Sequence, residues 1–68
     1  MELELITIGD ELLLGHTLDT NSVQLSKAFG TIGVRVVRRT TVTDSAAEIA
    51  GAVAEAMSRS DMVVTTGG

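Results

Sequence analysis

The sequence of 68 residues predicts an α/β protein with three layers, in which two helices cover opposite faces of a mainly parallel sheet. Two observations support this fold class. Apolar, β-rich segments alternate with helical segments in the order β-α-β-α-β, which is typical of parallel strands joined by right-handed crossovers. The first and third strand segments are the most apolar, whereas the second is more polar, as expected at a sheet edge. We therefore predict the strand order 2-1-3, with residues 1–68 forming the N-terminal part of a single domain.

The first strand is predicted over residues 3–8, where Leu-Glu-Leu-Ile-Thr-Ile is almost continuously apolar and rich in β-forming residues. The first helix is indicated by Asp-Thr-Asn at residues 19–21, each of which can cap a helix N-terminus. Gly33 is placed to end this helix, since glycine accepts the left-handed backbone conformation that is common there. The predicted apolar stripe of the helix comprises Leu25, Ala28, Phe29 and Ile32.

The second strand is predicted over residues 34–43, with Asp44 at its carboxyl end. Ser-Ala-Ala-Glu at residues 45–48 matches a capping box, which predicts the start of the second helix. Gly51 within this helix would fit a helix that packs closely on a sheet. The third strand is predicted over residues 62–66. The apolar face of the second helix comprises Ile49, Ala52, Val53, Ala56 and Met57.

The composition argues against several classes of function. The net charge is −4, from 5 basic and 9 acidic side chains, and the sequence has one aromatic residue, so we expect no nucleic-acid partner. The absence of cysteine excludes a disulfide or a thiolate metal site. No apolar segment approaches the ~18 residues of a membrane span, so we expect a soluble, cytoplasmic protein with no membrane partner.

Three further features have mainly simple interpretations. Arg35, Arg38 and Arg39 lie in the second strand, where a solvated edge or an interface is favoured over an anion site. His16 has no metal-ligand partner at a suitable spacing and is interpreted as a loop residue. Because the sequence stops at two glycines directly after a strand, we expect residues 1–68 to be the first part of a larger domain.

The predicted topology brings three polar segments to one edge of the sheet. Gly9, Asp10 and Glu11 follow the first strand, Asp44 follows the second, and Thr-Gly-Gly at residues 66–68 closes the third. Open parallel sheets bind ligands outside the carboxyl ends of their strands, where the crossovers diverge. Glycine at a strand end lets the backbone approach a phosphate, and carboxylates can bind Mg²⁺ together with substrate phosphates.

Simpler interpretations of these segments remain open. The two terminal glycines are compatible with an ordinary turn, and the acidic pair with a solvated one. Asp44 could serve only to stabilise the N-terminus of the helix that follows it. Neither Gly-x-Gly-x-x-Gly nor Gly-Lys-Ser/Thr is present, so the sequence has no dinucleotide fingerprint and no P-loop.

The segments resemble the molybdopterin-binding (MoaB/Mog-like) domain family, and most closely its CinA-like branch, the competence/damage-inducible proteins. The resemblance covers essentially every position and includes the spacing between motifs. It implies a three-layer α/β/α fold with first strands in the order 2-1-3. The motifs that carry it are Gly-Asp-Glu-Leu-Leu-Leu-Gly at 9–15, Asp-Thr-Asn at 19–21, Gly-Val at 33–34, Val-Thr-Asp at 42–44 and Thr-Gly-Gly at 66–68.

The resemblance also implies roles for individual residues. Asp44 corresponds to an acid at the family's active-site rim and is the candidate catalytic residue. Asp10 and Glu11 are candidate ligands of Mg²⁺ or another divalent metal. The candidate contacts to substrate or phosphate are Gly9, Asp10, Glu11, Asn21, Thr66, Gly67 and Gly68. The remainder of the family's glycine loop is missing from this sequence, so we expect these residues alone to bind weakly and to turn over little.

Three functions follow as expectations. The first, implied by the CinA-like branch, is hydrolysis of a nucleotide pyrophosphate of the ADP-ribose type with a divalent metal. The second is binding or adenylylation of molybdopterin in molybdenum cofactor biosynthesis. The third is a non-catalytic association module that pairs through an exposed sheet edge. We expect a small-molecule nucleotide or pterin phosphate as partner, and a homo-oligomer. The family also includes proteins with a C-terminal deamidase domain, of which this sequence contains no part.

Overall fold

Three strands and two helices make up the computed structural model, which describes the backbone of residues 1–10 and 20–67 and the side chains of residues 1–10 and 22–67. The sheet is parallel with the order β2-β1-β3, so the predicted fold class and strand order are confirmed. The elements are β1 (Glu2–Ile8), α1 (Thr20–Thr31), β2 (Arg35–Val42), α2 (Ala46–Arg59) and β3 (Met62–Gly67).

β1 is the central strand, and its side chains are buried on both faces of the sheet from Leu3 to Thr7. One face, here called the α2 face, carries Ile6 and Ile8 of β1 and packs against α2. Its buried core consists of Ile6, Val42 and Ala56, surrounded by Ile8, Ile49, Ala52, Val53 and Val63. Burial on both faces explains why the sequence of β1 is almost continuously apolar.

The opposite face carries Leu3, Leu5 and Thr7, because side chains alternate along a strand. All three are buried, with 2% or less of their surface exposed. α1 contacts β2, and none of its described side chains, at residues 22–31, belongs to the α2-face core. A right-handed crossover from β1 to β2 places α1 on this opposite face, which completes the three layers.

The apolar stripe predicted for α1 is only partly correct. Leu25 and Phe29 are half-buried, but Ala28 is exposed and Ile32 is 72% exposed. Among residues 22–31 of α1, whose side chains the structure describes, the fully buried one is instead Ser22, one turn before Leu25. A small polar residue therefore takes a place on the buried side of the helix that an apolar pattern cannot identify.

α1 ends as the sequence predicts. Gly33 has a φ of 81°, in the left-handed region. The N–H of Gly33 donates to the carbonyl of Gly30 at 3.2 Å, and the N–H of Val34 donates to that of Phe29 at 3.0 Å. These two bonds form a Schellman motif and satisfy carbonyls at the helix end.

An irregularity in β2 sets which face its later side chains occupy. Leu3 pairs with Val36 and Glu4 pairs with Arg38, so Val37 is an extra residue that forms a β-bulge. Without it, Arg35 and Arg38 would lie on opposite faces, since successive side chains alternate. With it, both lie on the α2 face, opposite Glu2 and Glu4 respectively.

Glu4 is a buried carboxylate near the amino end of the central strand, on the α2 face. Nε and Nη2 of Arg59 donate to its two oxygens at 2.8 and 2.9 Å, and the hydroxyl of Ser60 donates at 2.6 Å. Nε of Arg38 lies 3.9 Å from Glu4 Oε1. The hydrogen bonds from Arg59 and then Ser60 lower the pKa of Glu4 from 4.5 to about 2, and the hydrogen bond to Glu4 raises the pKa of Arg59.

Removing the charge of Glu4 should destabilise the fold, because Arg59 and Ser60 would then lose charge-assisted hydrogen bonds to a carboxylate that is itself buried. We expect Glu4→Gln to lower the urea midpoint more than Glu2→Gln, since the Glu2 side chain is 46% exposed. The pKa of Glu4 is lower in the folded than in the unfolded state, so its contribution is complete above pH 4.5 and declines as the pH falls toward 2. The stability difference between the parent protein and Glu4→Gln should therefore narrow over that range, and a constant difference would contradict this assignment.

Two glycines should respond oppositely to alanine. Gly51 is exposed within α2, and a Cβ there would meet no atom within 4 Å, so close packing does not require glycine at this position. Gly51→Ala should stabilise the protein by about 0.5–1 kcal/mol, because alanine has the better helix propensity. Gly33→Ala should destabilise it by roughly 1–2 kcal/mol, because the left-handed conformation is strained for a residue with a Cβ. Thermal unfolding of both variants measures whether Gly51→Ala raises the stability and Gly33→Ala lowers it.

Candidate functional site at the carboxyl edge of the sheet

The carboxyl ends of the three strands meet at Ile8. This residue pairs with Val42 of β2 on one side and with Gly67 of β3 on the other. The segments Gly9-Asp10 and Thr43-Asp44 directly follow β1 and β2. The structure therefore brings the described parts of the three predicted segments to one edge of the sheet, which is the edge where open α/β sheets bind ligands.

Two hydrogen bonds connect the segment after β1 to the segment after β2. The N–H of Gly9, which is buried, donates to the carbonyl of Val42 at 3.0 Å. The N–H of Asp44 donates to Oδ1 of Asp10 at 3.3 Å. The second bond ties the side chain of one candidate residue to the backbone of the other, so Asp10 helps to position Asp44.

The capping box at the start of α2 is modified by Thr43. Ser45 is the N-cap, and its hydroxyl accepts the N–H of Glu48 at 3.5 Å, as the sequence predicts. The carboxylate of Glu48 does not bond directly to the Ser45 N–H. It accepts a hydrogen bond from the hydroxyl of Thr43, which in turn accepts the N–H of Ser45 at 3.4 Å. This relay holds the segment that carries Asp44 against the first turn of α2.

The carboxylates of Asp10 and Asp44 are exposed at the edge. Among residues 1–10 and 20–67, no group of three or more His, Cys, Asp or Glu side chains could hold a metal ion. Mg²⁺, however, is commonly bound through one or two carboxylates, with water and substrate phosphates as the other ligands. Asp10 and Asp44 together therefore fit that donor set, while Glu11 lies outside the described residues.

Close packing does not require glycine at position 67, so what this residue offers at the edge is its backbone. A Cβ at this position would lie 3.4 Å from Cβ of Ile8, which is an ordinary contact. Gly67 is exposed at the end of β3, and Thr66 before it is half-buried. Gly67 has no side chain to cover the peptide at the strand end, and its contact to a phosphate stays a prediction.

Several predicted residues lie outside the described part of the chain. These are Glu11 and His16, the side chain of Asn21, and Gly68. Their predicted roles stay predictions.

The arginines of β2 lie mostly in ion pairs. Arg35 pairs with Glu2, and Arg38 lies near Glu4, while Arg39 is exposed. A surface cavity of about 190 Å³ opens near the amino edge of the sheet. It is lined by Met57, Ser60, Asp61, Met62 and Val63, so the cavity contains none of the predicted site residues.

Sequence reasoning overlooked a hydroxyl pair next to this edge. Oγ1 of Thr7 lies 2.8 Å from Oγ1 of Thr41, and 3.4 Å from the carbonyl oxygen of Thr40, to which it can donate. The sequence carries a threonine shortly before the carboxyl end of each strand, at residues 7, 41 and 66, but this pattern does not determine which hydroxyls meet.

Comparison with known proteins agrees with this architecture. Residues 4–68 match the family described as a probable molybdopterin binding domain. The chain belongs to this family. A CinA-like protein of Gemmatimonas aurantiaca is 56% identical over the whole chain, and a putative competence-damage inducible protein of Pediococcus pentosaceus is 46% identical over the same length. The predicted resemblance to the family and to its CinA-like branch is therefore confirmed.

A solved structure supports the same assignment. The crystal structure of the protein CinA with unknown function from Thermoplasma acidophilum superposes with a TM-score of 0.89 at 34% sequence identity. The match covers 94% of this chain and 38% of that one. The chain spans 16% of the length of each of the two family members named above.

Neither α1 nor α2 is long and apolar enough to cross a bilayer.

The hydrogen bond between Asp10 and Asp44 gives a test of how the edge is held together. Asp10→Ala should destabilise the protein by about 0.5–1.5 kcal/mol, because the bond is lost. Asp10→Asn should cost less, since an amide oxygen can still accept the Asp44 N–H. Urea unfolding of the two variants measures the difference. Equal stability of Asp10→Ala and the parent protein would show that the bond does not hold the two segments together.

Proposed function

We propose that this family member acts, at the full length encoded by its gene, as a hydrolase of nucleotide pyrophosphates of the ADP-ribose type, with a divalent metal. The observation that supports this best is the convergence of Asp10, Asp44 and Gly67 at the carboxyl edge of the sheet. Carboxylates and an open glycine backbone at one edge are the groups needed to hold a metal and a phosphate together.

The charge at this edge supports the metal requirement. Asp10 and Asp44 are both exposed acids, and two carboxylates would repel a diphosphate that approached them alone. A divalent cation offsets that repulsion and, when bound, supplies charge stabilisation to the phosphate undergoing attack. Asp10 is the described residue that would hold it, with Glu11 as the other predicted ligand, which leaves the Asp44 carboxylate available to act as a base.

The proposed reaction is attack of water on one phosphorus of the diphosphate. A new bond forms between the water oxygen and that phosphorus, and the bond from phosphorus to the bridging oxygen breaks. We assign Asp44 to orient the water and accept its proton, because Asp44 lies at the edge and is positioned by its hydrogen bond to Asp10. The bridging oxygen leaves on one phosphate product, the water oxygen stays on the other, and the proton taken up by Asp44 passes to the leaving phosphate or to solvent.

A second candidate function is binding or adenylylation of molybdopterin. The description of the matching family as a probable molybdopterin binding domain favours it. The same edge would serve, since a pterin phosphate also needs an open backbone and a neighbouring cation. The two functions differ in whether the protein retains a pterin.

The test uses the protein expressed at the full length that its gene encodes, assayed with ADP-ribose and Mg²⁺ or Co²⁺. We expect hydrolysis, and a loss of about a hundredfold or more in Asp44→Asn, the usual range for removal of a general base. Glu55→Gln is the control: this exposed acid of α2 undergoes the same type of substitution away from the edge.

Absence of hydrolysis, or full activity in Asp44→Asn, would contradict the proposal. In the same preparation, titration with molybdopterin followed by fluorescence distinguishes the second function. Retention of the pterin without hydrolysis of ADP-ribose would favour it.

A further inference from the structure

Three threonines lie side by side across the sheet. Thr7 of β1 pairs with Thr41 of β2 and with Thr66 of β3, each one residue before the last paired position. Paired residues on neighbouring strands project to the same face, and the contact between the Thr7 and Thr41 hydroxyls agrees with this. We call these three residues the threonine row.

The two faces of the sheet differ next to the carboxyl edge. On the α2 face, Ile8 and Val42 belong to the apolar core. On the opposite face, the threonine row follows the apolar side chains of Leu3 and Leu5. The last two sets of paired residues across the sheet are all described, and their hydroxyl groups all lie on the opposite face. A polar ligand at this edge would therefore meet these hydroxyl groups only from that face.

Exposure divides the row into a buried centre and two accessible ends. Thr7 is 2% exposed, whereas Thr41 and Thr66 are half-buried. Neighbouring strands are about 4.8 Å apart, which puts the two outer threonines roughly 10 Å apart. A ligand that spans the row would thus contact Thr41 and Thr66, while Thr7, buried between them, would act through its hydrogen bond to Thr41.

The hydrogen bonds of Thr7 allow it to control Thr41. A hydroxyl has one proton to donate, and the Thr7 hydroxyl has two neighbouring acceptors, Thr41 Oγ1 at 2.8 Å and the Thr40 carbonyl at 3.4 Å. When Thr7 donates to the carbonyl, Thr41 donates to Thr7. When Thr7 donates to Thr41, the Thr41 proton is free to bond an outside acceptor. An anionic ligand selects the second arrangement.

We propose that the threonine row forms one side of the phosphate site, where Thr41 and Thr66 bond the diphosphate group of the substrate and Thr7 is a positioning residue for Thr41. The location of the ligand rests on the proposed function. Arg39 supports the choice of an anion, because the register places it on the same face as Thr41, two residues earlier in β2. The row does not depend on Asp10 or Asp44, so it can be tested separately.

The test is calorimetric titration of inorganic diphosphate with Mg²⁺ into the protein at its full encoded length. Thr41→Val and Thr7→Val should each weaken binding about tenfold, the effect of one hydrogen bond to a charged group. Thr7→Ser should restore binding, because it keeps the hydroxyl. The matched controls are Thr40→Val and Thr65→Val. Each neighbours a row residue on the same strand but projects to the α2 face, so binding should not change.

Three results would overturn the proposal: no binding of diphosphate by the parent protein, unchanged binding in Thr7→Val, or an equal loss in Thr40→Val. Should Thr7→Val fail to fold, as judged by circular dichroism, Thr41→Val and Thr66→Val carry the test, and unchanged binding in both overturns it. Loss of diphosphate binding in the row variants of a protein that does not hydrolyse ADP-ribose would support the row and reject the proposed hydrolase. Hydrolysis of ADP-ribose that is unchanged in the row variants would support the proposed hydrolase and reject the role of the threonine row.

Discussion

The pairing of β1 on both of its edges is the constraint on which the rest of the structure depends. A strand with a parallel neighbour on each side, and with buried side chains on both faces, fixes the register of both neighbours and therefore where each of them ends. Ile8 lies between Val42 and Gly67 for this reason. The segments after β1 and β2 then leave the sheet side by side, close enough for Asp10 to accept a hydrogen bond from Asp44. The site is thus a consequence of strand register.

Much of this architecture could be predicted from local sequence. Residues 34–43 are more polar than the first and third strands, and this contrast was sufficient to predict the strand order β2-β1-β3. The alternation of strands and helices predicts parallel strands, and parallel strands place Asp10, Asp44 and Gly67 at the same edge of the sheet. Ser45 and Gly33 mark helix ends through capping chemistry that acts over a few residues, and such features are readable without knowledge of the tertiary structure.

The features that could not be predicted depend on contacts between distant residues. Glu4 appears in the sequence as one polar residue in an apolar strand, and its partner Arg59 is 55 positions away. The contact between Thr7 and Thr41 depends on the bulge at Val37, which no pattern in the sequence marks. Burial of Ser22 in α1 likewise depends on what packs against the helix.

The bulge at Val37 also has a consequence for how the length of β2 can vary among related proteins. Side chains of a strand alternate with a period of two, so one added residue exchanges the two faces for everything on one side of it. Val42 reaches the core, and Thr41 reaches Thr7, while Arg35 still faces Glu2, because the extra residue lies between them. The number of residues in β2 can therefore change only by an even number if both halves are to keep their faces. Loss of a single residue would force one half of β2 to the wrong face, whereas paired insertions or deletions would preserve both.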